Sequence, residues 1–164
     1  MSEPLVNLLG PAPFRFQTRE PGRSVRAFSL TFRLLGLAMV VVGSVWMFNL
    51  WKEGALGSGD SSGLSWFAAG LALMLFTVWH IWTSKTRLDE ALIHQSWLWD
   101  KQMELRELAY AKLIRIPGLD WLIAPRLYAR TLNGKFAVFY TADRAMLEEF
   151  ERLVQELREF RTLH

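Results

Sequence analysis

The chain has 164 residues, a net charge of +3 and no cysteine, which excludes structural disulfides, thiolate metal sites, C-x-x-C redox chemistry and a cysteine nucleophile. That length leaves room for one helical hairpin and one soluble domain of about 80 residues. No H-E-x-x-H, G-x-S-x-G, Walker A or G-x-G-x-x-G pattern occurs, and His80, His94 and His164 are dispersed, so no enzyme, metal or organic cofactor is expected.

Residues 1–27 come first. Pro4, Pro11, Pro13 and Pro21 disfavour a helix, and the expectation is a loosely ordered cytoplasmic arm in which Leu5, Val6, Leu8 and Leu9 can lie on a surface. Arg15, Arg19, Arg23, Arg26 and Arg33 are set against Glu3 and Glu20 alone, a basic bias suited to contact with anionic lipid headgroups. There is no run of basic residues interleaved with aromatics, so nucleic acid is not an expected partner.

Residues 34–51 carry no charge, and 27–32 can extend the helix past Arg33, whose stem can snorkel to the interface. The run begins late and lacks a small-x-small site, so it reads as a retained span and not as a cleaved signal peptide. A second charge-free run covers 61–84, within which 64–83 supplies the roughly 20 residues that a spanning helix needs. The intervening 52–63 is rich in glycine and serine and long enough only to turn the chain. The prediction is a membrane α-helical hairpin over 28–83, with helices at about 30–51 and 64–83 and an outer loop at 52–63. Basic residues flank the entry, Lys85 and Arg87 flank the exit, and the loop has only Lys52. The positive-inside rule then puts both termini in the cytoplasm, at the plasma (inner) membrane.

Trp46, Trp51 and Trp66 fall towards the outer boundary and Trp79 and Trp82 towards the inner one, as interfacial rings do. Ser65, Ala68, Ala69 and Ala72 recur at i, i+3, i+4 and i+7 and give the second helix a packing face of small side chains. Gly36, Val40 and Gly43 make a comparable stripe on the first helix. The two stripes are expected to meet inside the hairpin, the alternative being contact with a second copy or another integral membrane protein. His80 lies near the end of its span between Trp79 and Trp82, where a structural interfacial role is expected. No histidine on the first helix opposes it, so haem is not expected.

From residue 84 the pattern changes to short mixed segments. The alternation of Ala91, Ile93, Gln95, Trp97 and Trp99 with Leu92, His94, Ser96 and Leu98 predicts a strand over 88–98. Further strands are expected at 103–105 and 112–116, with 106–111 ambiguous. Segments 122–132 and 135–140 flank Asn133-Gly134, which predicts a hairpin with a type I′ turn; Pro125 places the first of these strands after it or at an edge. A helix is predicted over 144–161, capped by Asp143, with an apolar face of Met146, Leu147, Phe150, Leu153, Val154, Leu157 and Phe160.

This order of two membrane helices, short antiparallel strands, an Asn-Gly hairpin and a final amphipathic helix resembles the bacterial pleckstrin-homology-like membrane proteins. The residues carrying the resemblance are Thr86-Arg87-Leu88-Asp89 followed by 91–97 as a first hairpin, 103–116 as the next strands, and 133–160 at the end. It implies an α+β soluble domain over 84–164, a small antiparallel sheet or barrel capped by the C-terminal helix, used for binding proteins or lipids and not for catalysis. The basic cluster that phosphoinositide-binding members of the wider fold carry in the first hairpin is absent, so no headgroup site is carried over.

The adjacent carboxylates Asp89-Glu90 and Glu148-Glu149 point apart on a strand or helix and do not make an acid/base pair. The spans carry no acidic residue or polar stripe, against conduction. The expected function is that of a non-enzymatic, membrane-anchored binding or scaffold protein that assists assembly or stability of a membrane complex. The alternative is a lipid-binding or membrane-stress or transport accessory subunit. Trp97, Trp99 and Trp121, near predicted turns, are the expected partner or membrane contacts.

Overall fold

The structure, a computed structural model, describes residues 13–54 and 62–163; residues 5–9, the middle of the loop between the apolar helices and His164 lie outside the described residues. The elements are β1 (Ser24–Arg26), α1 (Leu30–Lys52), α2 (Ser62–Thr83), β2 (Lys85–Leu88), β3 (Leu92–Ser96), β4 (Lys101–Glu104), β5 (Leu108–Ile114), β6 (Arg126–Thr131), β7 (Phe136–Tyr140) and α3 (Arg144–Leu163), with a 3-10 turn at Leu105–Glu107 between β4 and β5. Two antiparallel sheets result, one in the order β1-β2-β3-β4 and one in the order β5-β6-β7.

The apolar hairpin is an insertion within the first sheet. Strand β1 precedes it and β2 follows it, yet the two pair directly, with Ser24 opposite Arg87, Val25 opposite Thr86 and Arg26 opposite Lys85. The expectation of a loosely ordered arm over 1–27 is therefore corrected for 13–27, and the soluble body begins before the hairpin. Phe14 and Phe16 belong to the core with Val25. The Phe14 ring meets Phe160 of α3 at 5.6 Å, and the Arg152 guanidinium lies 4.8 Å above the Phe16 ring. Prolines exclude a helix here but leave an extended chain free to alternate, and Phe14 and Phe16 turn inward while Arg15 and Gln17 turn out.

Both apolar helices are long and apolar enough to cross a membrane. Ser29 caps α1, its Oγ accepting from the Phe32 N–H at 3.2 Å, which satisfies one of the donors left free at a helix start. The α1 stripe behaves as expected: a Cβ on Gly36 would stand 3.2 Å from Val78 Cγ2 and one on Gly43 3.7 Å from Leu71 Cδ1. What meets it is the surprise. Helix α2 turns its larger residues Phe67, Leu71, Met74 and Val78 to the partner, while Ser65, Ala68, Ala69 and Ala72 are exposed on other faces. The expectation that the two small stripes meet is thus corrected: glycine hollows on one helix accept large side chains from the other, which fills volume better than two small faces opposed. Trp46 meets Phe67 edge-on at 5.4 Å.

In the soluble body the predicted 88–98 strand divides. Strand β2 ends at Leu88, the chain turns with the Asp89 N–H donating to the Leu92 carbonyl at 2.9 Å, and β3 runs from Leu92 to Ser96. The alternation of 91–99 marks β3 but not where it starts, and the adjacent carboxylates Asp89 and Glu90 are where the chain turns. The ambiguous 106–111 holds the end of the 3-10 turn and the start of β5, and β6 begins immediately after Pro125. The Asn133-Gly134 hairpin forms, but not as type I′. Gly134 alone has positive φ, at 80°, and its N–H donates to the Thr131 carbonyl at 3.0 Å. Leu132, Asn133 and Gly134 make a three-residue loop, the kind in which a glycine bulge follows an ordinary turn. A type I′ turn needs positive φ at both Asn133 and Gly134, and Asn133 does not adopt it.

Helix α3 starts under Asp143, whose Oδ1 accepts from Met146 N–H at 3.0 Å. Its apolar face closes over the sheets, with Met146, Phe150, Leu153 and Leu157 buried against Leu88, Ile93, Leu108, Leu127 and Phe139. Among the described residues the sheets do not join into a barrel. A cleft of about 800 Å³ lined by Lys101 and Met103 of β4 and by Phe136 and Ala137 of β7 lies between two strands that each end their sheet.

Phe16→Ala is expected to cost about 3–5 kcal/mol, whereas Arg15→Ala beside it changes stability by less than about 0.5 kcal/mol. Chemical unfolding of the full chain in detergent, followed by tryptophan fluorescence, reads the difference; equal effects would contradict the placement of residues 13–17 in the core.

Candidate functional site at the base of the hairpin

The end of the sheets from which the hairpin leaves is built of small polar side chains in buried positions. Ala27 N–H donates to the Ser84 carbonyl at 3.2 Å, closing the neck where α1 departs and α2 returns. Ser84 Oγ donates to the Ser96 carbonyl at 2.6 Å, and Ser29 Oγ donates to the Leu122 carbonyl at 3.1 Å. Thr86 Oγ1 donates to the Tyr140 carbonyl at 2.6 Å, and the Tyr140 N–H donates to Gln95 Oε1 at 3.3 Å. These last two bonds join the second sheet's edge to the inner face of the first. Each of these side chains answers a backbone group that burial would otherwise orphan.

Around this neck sits an aromatic cluster. Phe28 contacts Phe32 at 5.7 Å, Tyr140 at 5.4 Å and Trp97 at 6.0 Å. Trp97 is half-buried, and Lys101 Nζ stands 5.1 Å from its ring centroid. Burial lowers the Lys101 ammonium below the ordinary lysine range. Trp97 is thus a joint residue. Trp99 and Trp121 differ, being 63% and 58% exposed. Trp99 lies on the β3–β4 loop and Trp121 on the β5–β6 loop. Both loops leave the sheet end that carries the hairpin: Ser96 is held by Ser84, and Leu122 by Ser29. Leu98, Ile116, Leu119 and Ile123 on the same loops are also exposed.

The expected anionic-lipid contacts separate into three groups. Arg19 bonds Glu149 through its backbone N–H at 3.2 Å and lies 3.7 Å from it through its side chain. Arg23 pairs with Glu20 and, at 3.2 Å, with Asp143. The hydrogen bond to Glu20, then the charge of Asp143, raises the Arg23 guanidinium above its ordinary value. These contacts tie 19–23 to Asp143 and α3, while the Arg19 side chain stays largely exposed. Arg33 is 3% exposed, with its guanidinium carbon 4.0 Å from the Trp82 ring centroid. Arg15 and Arg26 remain exposed. His80 packs edge-on against Phe76 at 4.4 Å.

Sequence alone assigned no site role to Ser29 or Ser84, and it marked Thr86, Gln95 and Lys85 only as strand residues or a flanking charge. Ser29 carried a signal, a capping residue just before an apolar helix; the others owe their roles to strand register, which no local pattern reveals. Thr86→Val keeps the shape but orphans the Tyr140 carbonyl, and is expected to lower stability by about 1–3 kcal/mol. Thr83→Val, whose hydroxyl reaches only carbonyls of its own helix, is expected to stay within about 0.5 kcal/mol. Thermal unfolding of the two variants in detergent compares them, and an unaffected Thr86→Val would contradict the joint. Comparison of the chain with protein-family models finds no match, and comparisons with curated proteins and with solved structures find none either.

Proposed function

We propose that this chain is a non-enzymatic membrane protein whose two apolar helices span the bilayer and hold a pleckstrin-homology-like domain against one face, as a binding or scaffold module for another integral membrane protein. The observation that carries the reading is the insertion of two solvent-exposed apolar helices between paired strands. Leu34, Met39, Val42, Leu73 and Phe76 are about half to two thirds exposed, which suits lipid as their solvent and not a soluble core. Because 13–26 and 84–163 form one body, a two-span crossing returns the chain to the side from which it left. Arg15, Arg19, Arg23, Arg26, Lys85 and Arg87 on that side against Lys52 on the other favour the cytoplasmic face of the plasma (inner) membrane.

The pleckstrin-homology-like reading draws support from four strands in one sheet, three in the other and a C-terminal helix over both. Trp99 and Trp121, exposed and held near the membrane, suit recruitment of a partner that is itself in the bilayer. The alternative accessory role in lipid binding draws on the uncompensated arginines at the same level.

The absence of cysteine makes the topology directly readable. With single cysteines in living cells, Glu53→Cys at the far end of the hairpin is expected to react with an impermeant maleimide, and Gln155→Cys on α3 only after lysis. The reverse pattern contradicts the orientation. Trp99→Ala and Trp121→Ala together are expected to remove a copurifying membrane protein without releasing the chain from the membrane; unchanged copurification contradicts the scaffold role.

A further inference from the structure

A cavity of about 390 Å³ opens at the N-terminal end of α1, lined among others by Arg23, Arg26, Phe28, Leu30, Arg33 and Asp143. Its charges do not balance. Asp143 is taken by Arg23, which also holds Glu20, while Arg26 and Arg33 have no ion pair among the described residues. Arg33 is 3% exposed and its Nε has no hydrogen-bond partner; a guanidinium so placed, supported by one aromatic face, is costly without an anion. Strand register adds a third cation, since Arg26 stands directly opposite Lys85 on the outward face of both strands. Like charges in that relation destabilise a pair of strands unless something lies between them.

We propose that this cavity binds the phosphate of an anionic phospholipid, with Arg26 and the buried Arg33 as its two principal donors and Lys85 at its rim. The inference rests on the membrane-spanning reading above. Arginine matches a phosphate with paired N–H donors, and the start of a 23-residue helix adds its positive end. The choice of a lipid over a free anion follows from what lies next to the cations. Leu30, 58% exposed, borders the cavity, and Leu34 and Leu37 continue up the helix uncovered. Cations at the base and an open apolar wall above them fit a molecule with a phosphate and acyl chains.

Native mass spectrometry of the full chain in detergent, titrated separately with phosphatidylglycerol, phosphatidylcholine and inorganic phosphate, tests this. Phosphatidylglycerol is expected to bind about tenfold more tightly than phosphatidylcholine. Arg26→Gln and the Arg26→Gln/Lys85→Gln pair, both at exposed positions that leave the core intact, are expected to abolish the preference. Equal binding of the two lipids, or a preference that survives both variants, overturns the site. Displacement of the lipid by excess inorganic phosphate overturns the choice of a lipid. Alkaline carbonate extraction of native membranes separates this from the underlying reading: a chain released by carbonate does not span, whereas a chain that is retained and shows no lipid preference spans without the site.

Discussion

Pairing of β1 with β2 closes a loop that contains the whole apolar hairpin, and it does so through only three register positions. Closing a flexible loop of that length costs on the order of 3–4 kcal/mol, more than so short a ladder returns by itself. Two other contacts make the closure favourable. Packing of α1 on α2 through Gly36 and Gly43 holds the helix ends close, so the loop that the strands must close is effectively short. On the other side, Phe14, Phe16 and Val25 bury their side chains in the core, each contributing about 1.5–3 kcal/mol.

The consequence is mechanical. No linker separates the apolar helices from the sheet: α1 follows β1 after Ala27, Phe28 and Ser29, and β2 follows α2 after Ser84 alone. The bonds from Ala27 to Ser84, Ser84 to Ser96 and Ser29 to Leu122 turn that connection into a joint with little freedom to rotate. A domain on a flexible tether samples a volume, whereas this one presents the loops of Trp99 and Trp121 at a fixed height relative to the helices. The exposed rings of Trp99 and Trp121 and the unbalanced Arg26 and Arg33 are therefore all carried close to the base of the apolar hairpin.

How far the sequence carried the fold depended on whether the determining contacts were local. Both apolar helices, the Asp143-capped α3 and its buried face, and the Asn133-Gly134 hairpin follow from patterns within a few residues of one another. Residues 13–26 did not, because their partners lie on the other side of the hairpin in sequence: the Phe14-Arg15-Phe16 alternation becomes meaningful only once Phe160 and Arg152 are beside it. The turn type did not follow, because an Asn-Gly pair fits the end of a three-residue loop as well as a two-residue turn. At the site, Trp97 read the same as Trp99 and Trp121, since exposure is a property of tertiary packing; likewise the pairing of Arg23 with Glu20 and Asp143 has no local signature. Small residues on α2 did not mark its contact with α1, because close packing is decided by the volumes on both helices.

The pairing that joins the two sides of the hairpin is open to one direct measurement. Ser24 and Arg87 are directly opposite, at a separation that antiparallel partners keep within disulfide range, and the chain has no other cysteine. With cysteine at both positions of the full chain in native membranes, mild oxidation should form an intramolecular disulfide readily, whereas cysteines at Ser24 and His94, two strands apart, should remain free thiols. Failure of the Ser24–Arg87 pair to close, or equal closure of both pairs, would mean that the segment before the hairpin is not a strand of the sheet, and the account of a domain built around its own membrane helices would be wrong.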